Sequence, residues 1–529
     1  MKFSGLPNRA YNILFHTHTV SGIVISVALY IIFFAGAFTL FRDEFYKWEN
    51  PAARYYTGKP IDYDTTLQKV KSVIPNFDWS DDTYLTTPSY TRPDIWVSGH
   101  IQTASHQEEH FRGTYSPVNQ AFSKELKTTT GETLYRLHFL DQLPGLGRYI
   151  AGFVSLFFLF ATLTGVLIHW RNIVTKFYGF SLKGSWKQLW TNAHTVLGIL
   201  GLPFQLLYAI TGAFYILSIL ILLPTVLVFF GGNQQKVISA IRPNEGIVLK
   251  ENAQTVSNHL SINQFVTKVQ HEYPGFEINL IGLKHYKKED AHITFMLKDA
   301  QSFTGDGLVS YSLIDGKKLI ESMPGNKTYV QSVLFGIGRI HFGTFGGILV
   351  KIIYFILALL TCFVLISGIL IWKEARNKKE YTDQQKRFHH KVTMWYLAIC
   401  FGLYPAIALL FISEQLVPFQ LSNRFTIVNS LFFGGWLAIS ICSYFYRTES
   451  RLTRFTLLMG GILSLVVPLS NSIVTGDWIG KALSTKQYTV LGVDLFWLLT
   501  GIVSLGIFSY LRKTEKRNNQ LKPVKEIAR

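Results

Sequence analysis

Four histidines occupy repeated positions in this sequence, and imidazole pairs of this kind could hold the iron of a cofactor. The first repeat consists of a His-Thr-Val triplet, a glycine four residues after the histidine, and a Gly-Ala-Phe triplet whose glycine lies eighteen residues after it. These residues are His18, Gly22 and Gly36 in one copy and His194, Gly198 and Gly212 in the other. Eighteen residues make five turns of an α-helix, a rise of roughly 27 Å, so each histidine and its distant glycine share a face and span a bilayer core.

A second pair of histidines recurs at the start of the helix that follows each copy. His138 precedes Gly165 by twenty-seven residues, and His341 precedes Gly368 by the same number. An arginine lies two residues before each histidine, and a phenylalanine follows it. The chain up to about residue 375 is therefore predicted to be a duplication of helix, external segment and helix, with both halves in the same orientation.

Two imidazoles from facing helices are the axial ligands that a b-type haem requires. Because equivalent positions of a pseudo-symmetric bundle face each other, we expect two haem b groups, with the axial pairs His18 with His194 and His138 with His341. The glycines of the first repeat would leave room for the flat macrocycle, and His169 could ligate or adjoin the first haem. A single interfacial histidine is more often a polar anchor, but the repeated residue type, depth and spacing favour ligation.

The elements that must position these histidines are membrane spans. The chain has 529 residues, 48% of them hydrophobic, with several uninterrupted apolar runs, which is typical of a polytopic membrane protein and excludes a soluble one. The first run is too long for a signal peptide and no cleavage site follows it, so it predicts a transmembrane helix. Eight crossings are predicted, near residues 20–41, 149–169, 195–230, 347–372, 392–413, 428–446, 455–474 and 491–511.

Short basic segments indicate the orientation of these spans. They include the loops at 171–190, 373–391 and 447–454 and the tail from 512, and they all fall on one side of the membrane. By the positive-inside rule this side is the cytoplasm, so both termini are expected inside the inner (cytoplasmic) membrane. The net charge of +18 then reflects topology and contact with membrane lipid, and the sequence contains no nucleic-acid-binding motif.

Two long polar segments are then expected outside the membrane. Each opens with an amphipathic helical stretch that ends in a proline turn, and alternating runs typical of hairpin strands follow, so we expect two small α+β modules. The predicted order is an N-terminus and first span at 1–42, the first module at 43–137, the second and third spans at 138–230, the second module at 231–340, the fourth span at 341–375, and the last four spans with a basic tail at 376–529.

These features resemble the PepSY-associated transmembrane family, and in particular its iron-regulated, ferric-siderophore reductase branch. The resemblance covers roughly residues 10–375 and rests on the H-x-x-x-G openings, on the Leu-His and Ile-His pairs, on the glycines followed by Trp170 and Trp372, and on the external modules. It implies a membrane reductase that contains haem, carries PepSY-like modules and delivers electrons to a ferric chelate on the outer face.

Two haems at two depths would carry electrons from the cytoplasmic side, or from the quinone pool, to the outer face. No predicted cytoplasmic segment is long enough for a flavin or nicotinamide domain, so the donor, a quinol or a cytoplasmic reductase, is expected to be separate. We therefore predict a reductase of ferric siderophores or other ferric chelates that releases Fe(II) for uptake and needs no acid–base residue. Tyr90, Arg92 and Trp96 offer aromatic and cationic contacts for an anionic chelate.

Two alternatives remain at this point, a transporter of iron chelates or peptides and a scaffold whose modules bind a peptide. Transporters usually have broken helices and a polar site at mid-membrane, whereas here the helix centres are apolar. The external sequence GHIQTASHQEEHF gathers His100, His106 and His110, for which we expect a polar surface loop rather than a metal site. The three cysteines lie in apolar runs without CxxC spacing and favour neither disulfides nor iron–sulfur ligation.

Overall fold

The computed structural model describes residues 7–54, 61–89, 94–102, 108–117, 120–123, 129–178, 184–299, 303, 305–421 and 423–527. Its helices are α1 Asn8–Thr39, α2 Arg42–Glu49, α3 Pro51–Arg54, α4 Tyr63–Val73, α5 Thr130–His138, α6 Gly147–His169, α7 Ile173–Tyr178, α8 Trp186–Leu200, α9 Leu202–Phe230, α10 Gln234–Ile241, α11 Ile262–Glu272, α12 Tyr329–Phe342, α13 Gly347–Ala375, α14 Asp383–Leu416, α15 Arg424–Tyr444, α16 Glu449–Thr475, α17 Ile479–Ser484 and α18 Tyr488–Ile527. The strands are β1 Phe77–Asp78, β2 Thr83–Thr86, β3 Ile95–Gln102, β4 Glu108–Ser116, β5 Ala121–Ser123, β6 Glu277–Lys284, β7 His292–Lys298, β8 Gly307–Ser312 and β9 Lys318–Ser322.

The chain divides into two compact units. The helical unit comprises Met1–Glu49, Thr129–Leu217 and Ile352–Arg529, and the sheet unit comprises Asn50–Thr128 and Ser218–Lys351. Each unit is therefore built from segments that are far apart in the sequence.

Within the described residues, seven helices are long and apolar enough to cross a membrane, namely α1, α6, α13, α14, α15, α16 and α18. An eighth candidate is the pair formed by α8 and the Leu202–Ser218 part of α9, which is bent by 69°. The prediction of a polytopic α-helical membrane protein with about eight spans is confirmed, and the apolar surfaces of these helices contact lipid.

The third predicted span, 195–230, is not one continuous helix. It breaks at Gly201, where a Cβ atom would lie 2.8 Å from Nε2 of Gln205 and 3.1 Å from Leu360, so only glycine fits without a shift of these side chains. Pro203 lies in the first turn of α9, where a missing backbone N–H costs nothing because that group has no partner within the helix. The proline therefore fixes the start of the second piece rather than kinking a longer helix.

The last four spans pack through small and polar side chains, as expected where lipid removes the hydrophobic drive between helices. The Tyr404 hydroxyl on α14 lies 2.9 Å from Ser464 Oγ of α16 and 2.8 Å from Ser504 Oγ of α18. Gly460 gives the Tyr404 ring its space, since a Cβ there would lie 2.2 Å from the ring. These contacts hold α14, α16 and α18 at a fixed rotation.

The two predicted modules share one antiparallel sheet in the sheet unit. The described strands follow the order β5-β4-β3-β2-β6-β7-β8-β9, and β1 pairs with β3. The modules join where β2 pairs with β6, from Thr83 opposite Leu283 to Thr86 opposite Leu280. One apolar core, including Val70 of α4, packs against this sheet. The two predicted amphipathic helices are present as α4 and α11, but the modules form a single folded unit.

Candidate functional site

His18 lies on α1 with its ring against α6. Its Nδ1 is 2.8 Å from the Ala161 carbonyl oxygen. One turn further along α6, a Cβ on Gly165 would lie 3.1 Å from Cε1 of the histidine. The glycine therefore lets the imidazole approach the backbone of the neighbouring helix closely enough to donate to it.

His194 repeats this arrangement in the second half of the duplication. Its Nδ1 is 3.0 Å from the Val364 carbonyl oxygen on α13 and 3.1 Å from Ser367 Oγ. A Cβ on Gly368, four residues after Val364, would lie 3.4 Å from Cε1 of the histidine. The same three parts, an imidazole, a carbonyl and a glycine one turn later, thus occur at equivalent positions.

His138 forms a third copy with α1. Its Nδ1 is 2.8 Å from the Ile32 carbonyl oxygen, and a Cβ on Gly36 would lie 2.6 Å from the same nitrogen. We call this arrangement the imidazole clamp. In the first half α1 takes both roles: it supplies His18 to Gly165 of α6, and its Gly36 receives His138 of α5. Gly36 thus makes room for an imidazole, where the sequence predicted room for a macrocycle.

The hydrogen bond in the imidazole clamp determines which ring nitrogen has a lone pair for a metal. A carbonyl oxygen only accepts hydrogen bonds, so Nδ1 of each clamped histidine carries the proton and Nε2 keeps its lone pair. For His18 and His194, no hydrogen bond joins Nε2 to any described residue. Metal-ligating histidines have this arrangement, in which the second ring nitrogen donates to a carbonyl and holds the ring in place.

The structure brings His18 and His194 together as one pair. Their ring centroids are 6.2 Å apart and their planes are inclined by 80°. A metal–imidazole bond is about 2 Å and the ring centre lies roughly 1 Å further, so two imidazoles on opposite sides of one ion have centroids roughly 6 Å apart. A Cβ on Gly22 or Gly198 would meet no described atom within 4 Å, so there is open space one turn from each histidine.

The other glycine of the first repeat, Gly212, has a packing role. A Cβ there would lie 2.8 Å from Ser155 Oγ. The glycine therefore permits close approach of α9 and α6 in the helical unit.

His169 lies at the end of α6 as a neighbour of both His18 and His194. Its Nδ1 is 2.8 Å from Lys176 Nζ on α7. A lysine ammonium only donates, so Nδ1 of His169 accepts and the proton of a neutral ring lies on Nε2. This is the opposite tautomer to the clamped histidines, and His169 therefore suits a hydrogen-bonding role beside the pair rather than ligation through Nε2.

The predicted position of the second histidine pair needs a correction. His138 and His341 do not lie at the ends of the second and fourth spans but on the separate helices α5 and α12. The left-handed residue Gly343 ends α12, and a turn containing Gly145, also with positive φ, separates α5 from α6. His341 belongs to the sheet unit, and its pairing with His138 stays a prediction.

A buried ion pair near α5 was not predicted. Glu414, fully buried at the end of α14, lies 2.6 Å from the guanidinium of Arg424, which also donates to Thr129 Oγ1 at 3.3 Å. The Thr130 N–H donates to Glu49 at 3.0 Å, and Thr130 Oγ1 lies 3.5 Å from Glu414. Helices α14 and α15 thus hold the start of the helix that carries His138. The signal in the sequence is a single acidic residue at the end of an apolar run.

Two of the three histidines of the GHIQTASHQEEHF segment lie in strands rather than in the predicted polar loop. His100 is in β3 and His110 is directly opposite in β4. Trp96 is half-buried in β3, whereas Tyr90, Arg92 and His106 lie outside the described residues. No group of three or more His, Cys, Asp and Glu side chains is arranged around one metal position in the described part of the chain.

Comparison with known proteins gives two matches. The model of a family described as PepSY-associated TM region matches residues 15–375, which include every histidine of both repeats. The uncharacterized protein PA4219 of Pseudomonas aeruginosa is 22% identical over 369 residues, covering 67% of this chain and 88% of that protein. The family match ends with α13, so the last four spans lie outside it.

Proposed function

Because this chain belongs to the PepSY-associated transmembrane family, and because its repeated helices present a pair of tautomer-fixed imidazoles, we propose that it is a haem b membrane oxidoreductase that reduces a ferric chelate. The observation that carries the proposal is the pair His18 and His194, 6.2 Å apart, each with Nδ1 on a carbonyl of the neighbouring span. When bound, a haem supplies one-electron transfer.

The residues around this pair fit such a group. His18 and His194 offer one Nε2 lone pair each, at a separation suited to opposite axial positions, and the clamps prevent both rings from turning. Gly22 and Gly198 leave open space beside them for a flat ring. The second proposed haem uses His138, which has the same clamp, and the duplication in the sequence assigns His341 to it.

The proposal extends to the partners predicted from the sequence. Electrons come from a quinol or a separate cytoplasmic reductase, and the acceptor is a ferric siderophore or related chelate that releases Fe(II), as in the iron-regulated branch of the family. The distribution of basic loops supports a topology with both termini in the cytoplasm and the sheet unit outside the inner membrane.

A spectrum of the purified protein tests the proposal. We expect a Soret band and, after reduction with dithionite, reoxidation by a ferric siderophore. His18→Ala and His194→Ala should each remove the same haem, about half of the signal, because both ligands belong to one iron. His16→Ala is the matched control, since this exposed residue lies on α1 two positions away and faces another direction. A protein without haem, or ligand variants that match this control, would contradict the proposal.

One observation favours the transporter alternative. The bend of 69° between α8 and α9 suits a broken span or a re-entrant loop, and the buried Gln205 beside it has an amide nitrogen with no hydrogen-bond partner among the described residues. Broken helices with polar groups mark binding sites in transporters. Uptake of a labelled chelate into sealed vesicles without any redox change would favour this function, and Gln205→Leu should then reduce the uptake.

A further inference from the structure

A pair of histidines on the sheet unit lies apart from the repeated histidines of the spans. His100 in β3 and His110 in β4 are direct cross-strand partners, with ring centroids 5.4 Å apart and planes inclined by 84°. Along β3 the residues Ile95, Val97 and Gly99 are buried, so His100 is on the opposite face of the strand. The two imidazoles are therefore side by side on the face of the hairpin that points away from the buried core.

A carboxylate lies beside one of these rings. Asp81 Oδ2 is 2.6 Å from His100 Nδ1, an ion-pair contact rather than a hydrogen bond. A negative charge at this distance favours the binding of a cation by the two imidazoles. The side chains of His100 and Asp81 are 30% and 39% exposed, so an ion in solution can reach the pair.

The nearby carboxylate of Asp78 has other partners. Its Oδ1 accepts from the backbone N–H and the hydroxyl of Ser80 at 2.9 and 2.5 Å, and its Oδ2 accepts from Gln102 at 3.2 Å. Asp81 is thus the carboxylate that contacts His100.

The distance between the rings fits two ligands on adjacent positions of one ion. With a metal–nitrogen bond of about 2 Å and tetrahedral angles, two imidazole centroids lie roughly 5 Å apart. This separation is shorter than the 6.2 Å of His18 and His194, whose rings suit opposite positions. Imidazole is a favoured ligand of divalent zinc, copper, iron and nickel.

We propose that His100 and His110 form an external binding site for a first-row divalent transition-metal ion, with the negative charge of Asp81 beside the site. Because the described part of the chain has no third His, Cys, Asp or Glu side chain arranged with them, water or a ligand carried by the ion completes the coordination. The site is independent of the proposed haems and remains if those are absent.

Equilibrium dialysis of the full-length protein in detergent against Zn²⁺ tests the site, with bound zinc measured by atomic absorption so that haem iron does not interfere. We expect one zinc site that His100→Ala and His110→Ala each weaken by more than about tenfold, and that Asp81→Asn weakens less, because this substitution removes only a neighbouring negative charge. His271→Ala, an exposed histidine on α11 of the same unit, is the matched control and should bind as wild type. Equal zinc binding by His100→Ala, His110→Ala and this control would overturn the proposal.

A second measurement on the wild-type protein avoids any effect of a variant on folding. Diethylpyrocarbonate modifies accessible imidazoles, and mass spectrometry locates each modified residue. We expect Zn²⁺ to protect His100 and His110 while His271 reacts as before. Modification of all three histidines that is unchanged by Zn²⁺ would also overturn the proposal.

Discussion

The two halves of the duplication keep the same imidazole clamp but differ in almost everything around it. In the first half α1 is one helix of 32 residues, whereas its counterpart is broken into α8 and α9 at Gly201. His194 donates to both Val364 and Ser367, whereas Thr164, at the position equivalent to Ser367, donates to the Phe160 and Ala161 carbonyls of its own helix. Both halves therefore keep the hydrogen bond to a carbonyl that orients the imidazole, whereas the other groups around the imidazole differ.

The halves also differ in what supports their second histidine. Helix α5, which carries His138, belongs to the helical unit, and its counterpart α12 belongs to the sheet unit. The buried pair of Glu414 and Arg424 holds the start of α5 through Thr129 and Thr130. We therefore expect substitutions around the histidines of the first half to lower the free energy of unfolding more than the equivalent substitutions in the second half.

The largest effect is expected from breaking this buried ion pair. Arg424→Met leaves the buried carboxyl of Glu414 without its ion-pair partner, which should lower the free energy of unfolding by about 3–5 kcal/mol. Chemical unfolding in detergent measures it. Arg148→Met is the control, because the Arg148 side chain is 60% exposed and the loss of its pair with Asp141 should cost less than about 1 kcal/mol. The double variant Glu414→Gln with Arg424→Met should be less destabilised than Arg424→Met alone. Equal losses of unfolding free energy in Arg424→Met and Arg148→Met would show that the buried ion pair does not support the fold.

The next effect concerns the tightest clamp. In Gly36→Ala the new methyl group would lie 2.6 Å from His138 Nδ1, so the ring must move and its bond to the Ile32 carbonyl weakens. We expect a loss of about 1–3 kcal/mol in unfolding free energy and loss of the haem assigned to His138. Gly22→Ala on the same helix is the control for stability, because a Cβ there meets no described atom within 4 Å. Equal stability of the two variants would show that the ring has room to move.

A direct comparison of the halves uses the two equivalent glycines. A methyl group on Gly165 would lie 3.1 Å from the His18 ring, whereas one on Gly368 would lie 3.4 Å from the His194 ring, an ordinary contact. Gly165→Ala should therefore lower the unfolding free energy by about 1 kcal/mol more than Gly368→Ala. Thermal unfolding of both variants under identical conditions measures the difference, and a larger loss for Gly368→Ala would reverse the conclusion.

The smallest effect concerns the second acceptor of His194. Ser367→Ala removes one hydrogen bond to Nδ1–H, which makes the imidazole a weaker donor to iron and should raise the reduction potential of its haem. A change of about 0.5 kcal/mol corresponds to roughly 20 mV for one electron. A redox titration measures it. Thr164→Ala is the comparison from the first half, because the Thr164 hydroxyl donates to the Phe160 carbonyl and to the Ala161 carbonyl that accepts from His18, but makes no hydrogen bond to the ring itself. Equal shifts of the reduction potential in both variants would show that the extra hydrogen bond from His194 to Ser367 does not affect this potential.

The positions of three residues of the repeat can be compared with those predicted from the sequence. The repeat predicted that His18 and His194 lie together, and the structure places them so. The same repeat predicted that Gly36 makes room for a macrocycle, but this glycine faces the ring of His138 on another helix. Spacing along one helix identifies which residues share a face, whereas the partner of that face depends on how two helices are rotated against each other.

The sequence by itself determined the membrane class, the number of spans and the duplication, because the length of an apolar run and its repetition are local properties of the chain. Only the tertiary structure decided which carbonyl each imidazole donates to, that the two modules share one sheet, and that Glu414 pairs with Arg424 inside the protein. Such contacts join residues far apart in sequence, and they depend on interhelical distance and strand register, which no local pattern encodes.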